Sequence, residues 1–366
     1  MTTLENSSRL RVKLRLRAWI AGGLALLAAL GAGGYVAYRS TYYAFPLFDA
    51  QRATISPEAT AIMERSHILM VPDFVVPLLA TRESIIAGQA SFAAGERPHE
   101  EELIARHGLS VDEIEIGGVP VVVITPPAIR PGFEDVVIFN IHGGSFVLGS
   151  ARDRVALLLA HDVGVPVYSV EYDLAPEAPF PIAIEQGLAV YRELTMHVPA
   201  DRILATGASS GGNQVLSILH RARDAGLPMP AALGLFTPAA DLTGVGDSAI
   251  VNNGRDGLIV NFGRNLVDNF YAPGMDVADP GISPIYADYG PDFPPTVISI
   301  GTRDLLLSNA VRLDWKLEEA GVRRQLLISE GMWHGFNWEP DLPEAIAARA
   351  AVARFLIEHV RTGEEN

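Results

Sequence analysis

The sequence predicts an α/β protein: a mostly parallel central sheet with helices on both faces, preceded by a helical cap and an N-terminal apolar helix. Three observations predict it. Short runs rich in Val and Ile recur from residue 113 onward, each the length of one buried strand. Helical stretches lie between most of them, the alternation that builds a parallel sheet. Hydrophobic residues make up 49% and charged residues 19% of the 366-residue chain, enough apolar material for a large core.

The N-terminus comes first. Residues 1–17 form a basic segment, with Arg9, Arg11, Lys13, Arg15 and Arg17 in RLRVKLRLR. The uncharged run AWIAGGLALLAALGAGGYV (18–36) follows, with only Arg39 just after it. Its length and flanks predict a transmembrane signal-anchor helix over 18–38. The protein is then expected to be a single-pass membrane protein with a cytoplasmic N-terminus and an extracytoplasmic body. The rival reading is a signal peptide cleaved near Ala32-Gly33-Gly34, giving a secreted protein. Tyr38 to Phe48 reads as a juxtamembrane linker. Residues 39–110 form linker and cap. Their helical pieces are 56–68 capped by Ser56, 75–95, and 99–107 ended by Gly108.

The sheet region, 111–362, follows. EIEI and VPVVVITP, joined by Gly117-Gly118, read as a hairpin. Further strands are predicted at 136–141, 165–172, 202–207, 231–236, 296–300 and 324–330. Helices are predicted at 180–195, 210–224, 308–320 and 343–360. Residues 238–292 are Gly-, Asp- and Pro-rich, with one predicted helix at 261–271. An irregular segment of that length is expected to shape a pocket.

Charge narrows the function. Beyond residue 38 there are 23 basic and 42 acidic residues, and a polyanionic body repels phosphate backbones, so nucleic acid is not an expected partner. The chain has no cysteine, which excludes disulfides, thiol catalysis and thiolate metal sites. His67, His99, His107, His161, His197, His220 and His359 show no paired ligand spacing, so no metal site is expected.

Residues 205–213, ATGASSGGN, carry the chemistry and read two ways. As TGASSG the stretch is a glycine-rich phosphate cradle and resembles the opening of the short-chain dehydrogenase/reductase family. Against this, several strands precede it, Asn213 stands where the last glycine belongs, and no tyrosine has Lys four residues on. As Gly207-Ala208-Ser209-Ser210-Gly211 it is a Gly-x-Ser-x-Gly turn that presents Ser209 as a nucleophile. A serine hydroxyl needs a histidine base and a carboxylate to orient it, expected in the order Ser, acid, His. GTRDLL places Asp304 after one strand, and GMWHGF places His334 after the next. Asp241 is the rival acid. Glu330 is close to His334 in sequence but belongs to the strand itself. The HGGSF segment (142–146) follows another strand, and its glycines let the backbone approach an oxyanion. Gly143, Gly144 and Ser210 are the expected oxyanion donors, with His142 beside them structural. Phe74 to Leu79 either line an acyl pocket or pack the cap.

Taken together, HGGSF, EYDLAPEAPFP (171–181), GASSGGN, SPIYAD (283–288), PPTVISIGTRDLL (294–306) and GMWHGF resemble the hormone-sensitive-lipase-like branch of the α/β-hydrolases, in that family's order. The resemblance spans roughly 110–360. It implies an α/β-hydrolase fold, a carboxylesterase that needs no cofactor, and a small-molecule ester as substrate, possible lactones included. The basic N-terminus and apolar helix resemble the arrangement of arylacetamide deacetylase in the same branch. Ser145 replaces a usual glycine, Ala208 a usual Asp or Thr, Ser210 a usual Ala, and Leu305 a usual Pro. The alternatives to a serine esterase are a nicotinamide-dependent reductase and a non-catalytic receptor on the same scaffold.

Overall fold

The computed structural model describes residues 19–35, 47–66, 74–258 and 260–360. The sheet has eight strands: β1 Ser110–Ile116, β2 Val119–Thr125, β3 Val137–Ile141, β4 Val167–Val170, β5 Ile203–Ala208, β6 Ala232–Phe236, β7 Thr296–Gly301 and β8 Arg324–Ser329. Their spatial order is β1-β2-β4-β3-β5-β6-β7-β8. β2 runs antiparallel to both neighbours, and every pairing from β4 through β8 is parallel. The mostly parallel sheet is therefore present, with the hairpin at one edge. Gly117 and Gly118 turn that hairpin with φ of 59° and 78°, values that glycine adopts without a Cβ penalty.

Alternation along each strand sends side chains to two cores. Phe139 and Ile141 face the helices Ile182–His197, Ser210–Asp224 and Leu307–Glu319. Ile138 faces the helices Arg154–Val163 and Pro343–Glu358. Every residue of β3, β5, β6 and β7 is buried, as expected for strands covered on both faces. Asn140 is the polar exception in β3. Its amide donates to Ser169 Oγ at 2.9 Å and accepts from Thr206 Oγ1 at 2.8 Å, so the buried group is satisfied by the flanking strands.

Two helical expectations change. The pieces at 75–95 and 99–107 form one short helix, Val76–Leu79, and one long helix, Arg82–His107, that runs through Pro98 and ends at left-handed Gly108. Thr81 caps that helix, accepting from the Ser84 amide. A further helix, Arg154–Val163, capped by Asp153, lies between β3 and β4 where no helix is predicted. Ser56 caps Pro57–Arg65 as expected.

The membrane topology is corrected. Residues 19–35 are helical, but no helix among the described residues is long and apolar enough to cross a membrane. The described part of that helix, residues 19–35, spans roughly 25 Å at about 1.5 Å per residue, less than a bilayer core of about 30 Å. This overturns the single-pass assignment and the extracytoplasmic placement built on it. The basic segment 1–17 and most of the expected juxtamembrane linker lie outside the described residues.

Candidate active site

β5 ends in the turn that carries Ser209. Ser209 has φ 54° and ψ −120°, a conformation rare for a residue with a side chain. The turn can form only if its flanks are small. A Cβ on Gly207 would lie 2.5 Å from the Gly211 carbonyl oxygen. A Cβ on Gly211 would lie 2.1 Å from the Ile141 oxygen and 2.4 Å from the His142 oxygen. Backbone bonds pin the turn to its surroundings: Ser209 N donates to Phe236 O at 2.8 Å, and Ala239 N donates to Ser209 O at 3.1 Å. Ser209 therefore projects above the C-terminal edge of the sheet at a helix N-terminus.

The loops after β7 and β8 bring two more side chains to it. His334 Nε2 lies 2.9 Å from Ser209 Oγ, and His334 Nδ1 lies 3.1 Å from each Asp304 carboxylate oxygen. All three residues are buried. Burial alone would lower the His334 pKa, but the Asp304 carboxylate, with Asp256 also nearby, outweighs it and holds the imidazole above its ordinary 6.5. Two contacts set the loops' approach. A Cβ on Gly301 would lie 2.1 Å from the Met332 carbonyl oxygen, and one on left-handed Gly335 would overlap the Trp338 ring.

The loop after β3 runs beside the turn. A Cβ on Gly143 would lie 2.8 Å from the Ala208 carbonyl oxygen and 3.3 Å from the Ser209 Cβ, so glycine lets this backbone pass the nucleophile turn closely. Gly144 has φ 125°, and a Cβ there would lie 2.0 Å from the Leu148 oxygen. Ser145 and Phe146 continue the loop with φ of 55° and 68°. Phe146 N donates to Ser210 Oγ at 3.3 Å, joining loop and turn. His142 is fully buried, stacked on Tyr172 with ring centroids 4.1 Å apart. Burial pushes its pKa down to about 4, so it is a neutral packing group near pH 7.

A cavity of about 440 Å³ opens over Ser209. Gly143, Gly144, Trp333, His334 and Trp338 line it near the serine, and Phe92 and Ala93 come from the helix Arg82–His107. Glu96, Glu100, Asp153 and Arg154 also line it. Arg154 Nε donates to Glu96 at 2.8 Å, and burial raises Asp153 to about 7. Residues 74–79 do not line this cavity: Val76 is buried in the cap, while Phe74 and Leu78 are exposed.

The other sequence candidates lie elsewhere. Asp241 forms an ion pair with Arg312 and accepts from the Thr243 amide at 2.9 Å and Tyr286 Oη at 3.1 Å. Glu330 is exposed. Asn213, the residue that spoils the phosphate-cradle pattern, donates its amide to the Ala239 and Ile282 carbonyls, both at 2.8 Å.

The sequence reading missed a second support. Ser248, Asn252 and Asp256, spaced four apart in the irregular segment, all bond to the Asp304 loop. Ser248 Oγ donates to Leu305 O at 2.8 Å, Asn252 Nδ2 to Asp304 O at 3.0 Å, and Leu305 N donates to Asp256 Oδ2 at 2.7 Å. The S-x3-N-x3-D spacing is the only signal the sequence offered. Asp256, Asp304 and His334 also bring potential metal-ligand atoms within 4.8 Å of one another. Their oxygens already accept N–H groups: Leu306 N reaches Asp304 Oδ1 at 2.8 Å, and His334 N reaches Asp256 Oδ1 at 2.7 Å.

Comparison with known proteins identifies the family. A family model for the α/β hydrolase fold matches residues 138–337. An esterase of Acinetobacter venetianus is 32% identical over 228 residues, covering 60% of this chain and 75% of that protein. The crystal structure of an esterase superposes with a TM-score of 0.80 at 32% identity, covering 86% of this chain and 98% of that one. That of an esterase from the bacterial hormone-sensitive lipase family gives 0.68 at 29%, covering 80% and 100%. The chain belongs to the α/β-hydrolase family, in its hormone-sensitive-lipase-like branch.

Proposed function

We propose that the protein is a serine carboxylic-ester hydrolase acting on small to medium acyl esters. The observation that carries this reading is the continuous contact from Ser209 Oγ through the His334 ring to both oxygens of Asp304. His334 Nε2 takes the Ser209 proton as Oγ attacks the ester carbonyl carbon. Asp304 holds the Nδ1–H tautomer and stabilises the imidazolium that forms. The N–H groups of Gly143, Gly144 and Ser210 receive the oxyanion. Collapse of the tetrahedral intermediate expels the alcohol, which takes the proton from His334. Water then attacks the acyl-enzyme with His334 again as base, releasing the acid and restoring Ser209.

On this reading residues 39–110 supply linker and cap, and 111–362 the catalytic domain. The cap helix supplies Phe92 and Ala93 to the cavity, and a volume of about 440 Å³ suits a compact ester. The relatives' esterase names support the same reaction class.

The test is a panel of aryl esters of graded acyl length, run on wild type and Ser209→Ala. Wild type is expected to favour the shorter acyl groups, and Ser209→Ala to lose at least about 10³-fold in kcat. Turnover that survives Ser209→Ala overturns the mechanism.

A further inference from the structure

We propose that Asp256 is a positioning residue of this reaction, a second buried carboxylate that sets Asp304 and His334 relative to one another and adds negative charge beside the imidazole. The inference rests on the serine-hydrolase reading above.

The geometry carries it. Asp256 is fully buried, on a segment that belongs to neither catalytic loop. Its Oδ1 accepts from His334 N at 2.7 Å and from Gly257 N at 2.6 Å, and its Oδ2 accepts from Leu305 N at 2.7 Å. One donor is the amide of the base, and another is the amide directly after the acid. The third begins the wall of the cavity, because Gly257 and Leu258 line it. A single side chain thus ties the acid, the base and the substrate pocket together. Only a carboxylate suits the task. It offers two acceptor oxygens and no donor, and bonds from N–H to an ionised oxygen are short and strong. An asparagine amide would turn an NH2 group toward one of the N–H donors.

Charge makes the placement costly and therefore informative. Asp256 and Asp304 are two acidic groups buried together, and burying like charges is unfavourable. The charged groups facing Asp256 are Asp304 and Arg303 from the β7 loop and His334 from the β8 loop. Burial, with Asp304 next to it, pushes Asp256 up, while the His334 imidazole and the Leu305 and His334 amides oppose that rise. The arrangement improves when His334 becomes positive, as it does when Ser209 attacks. A field already oriented toward that charge lowers the barrier without reorganisation.

Leu305 gains a reason here. It stands where the resemblance to hydrolases leads one to expect proline, and proline has no N–H to give Asp256.

The experiment measures kcat and KM on a short aryl ester, and the pH dependence of labelling by a fluorophosphonate. It uses wild type, Ser209→Ala, Asp256→Asn, Leu305→Pro and the Asp256→Asn/Leu305→Pro double variant, all as the full chain. Labelling of wild type but not Ser209→Ala tests the underlying reading separately. For Asp256→Asn we expect kcat to fall about 10- to 100-fold with KM within about threefold. The acid-side midpoint of labelling should move down by about half to one pH unit, because the imidazolium loses a neighbouring negative charge. Leu305→Pro should lower kcat at least about threefold, and the double variant should be little worse than Asp256→Asn, since both remove the same bond. An unmoved midpoint together with additive losses overturns the proposal. If Asp256→Asn does not fold, Leu305→Pro decides: wild-type kcat in that variant overturns the proposal, and a loss in kcat at constant KM supports it.

Discussion

Gly211 packs its α-carbon against the carbonyl of His142 so closely that a Cβ would lie 2.4 Å from that oxygen. The turn bearing Ser209 and the loop bearing the expected oxyanion donors are therefore one packed unit. Gly211→Ala should disrupt both. Backbone atoms must shift to admit a methyl group, and overpacking of this kind typically costs about 1–3 kcal/mol. A lower thermal midpoint together with a kcat loss above about tenfold is the expected result. A stable, fully active alanine variant would contradict this account of the turn.

The oxyanion loop makes a sharper separation of binding from catalysis. Gly144 has φ 125° and no room for a Cβ before the Leu148 oxygen. Gly144→Ala should reorient the loop's N–H groups and reduce kcat by about 10²-fold or more. The KM for a small ester should change far less, because the missing contacts belong to the transition state. Steady-state kinetics on a short aryl ester measures both.

Asp304→Asn tests the orienting acid. An amide in place of the carboxylate weakens the hold on the Nδ1–H tautomer and removes the charge opposite the imidazolium, and losses of about 10²–10⁴ in kcat are expected. Asp241→Asn should leave kcat within about threefold, since Asp241 pairs with Arg312 and Tyr286 rather than with His334. Equal losses in the two variants would put the acid assignment in doubt.

The acid limb of the pH–rate profile has a defined sign. His334 must be neutral to accept the Ser209 proton, and its environment holds its pKa above 6.5. kcat/KM should therefore fall as pH drops through a midpoint above 6.5. His142, lowered to about 4 by burial, contributes nothing in that window. A midpoint near 5 would show that another group controls the limb.

Cavity shape should govern acyl preference. Phe92 reaches the cavity from the cap helix and is about 41% exposed, so it can change size without disturbing the core. Phe92→Ala should shift the optimum of an acyl-length series toward longer chains, and Phe92→Trp toward shorter ones. The series measured as kcat/KM tests both directions.

Much of the fold and the site was legible in sequence because both follow local rules. Strands buried on both faces read as apolar runs. Gly207 and Gly211 mark a turn too tight for side chains. Asp304 and His334 each follow a strand, where open α/β sheets build their sites. The apolar run 18–36 misled, because apolar composition and length alone do not establish a membrane span. No helix among the described residues is long and apolar enough to cross a membrane.

By itself, then, the sequence determined the α/β class, the strand–turn–helix around Ser209 and the order of its expected partners, since backbone sterics and hydrophobic periodicity act over a few residues. Only the tertiary structure decided that Asp304 rather than Asp241 meets His334, and that Asp256 ties them together. Those contacts join positions separated by 30 and 78 residues. Which buried carboxylate faces which imidazole depends on how the β7 and β8 loops pack against the irregular segment, and no local pattern encodes that.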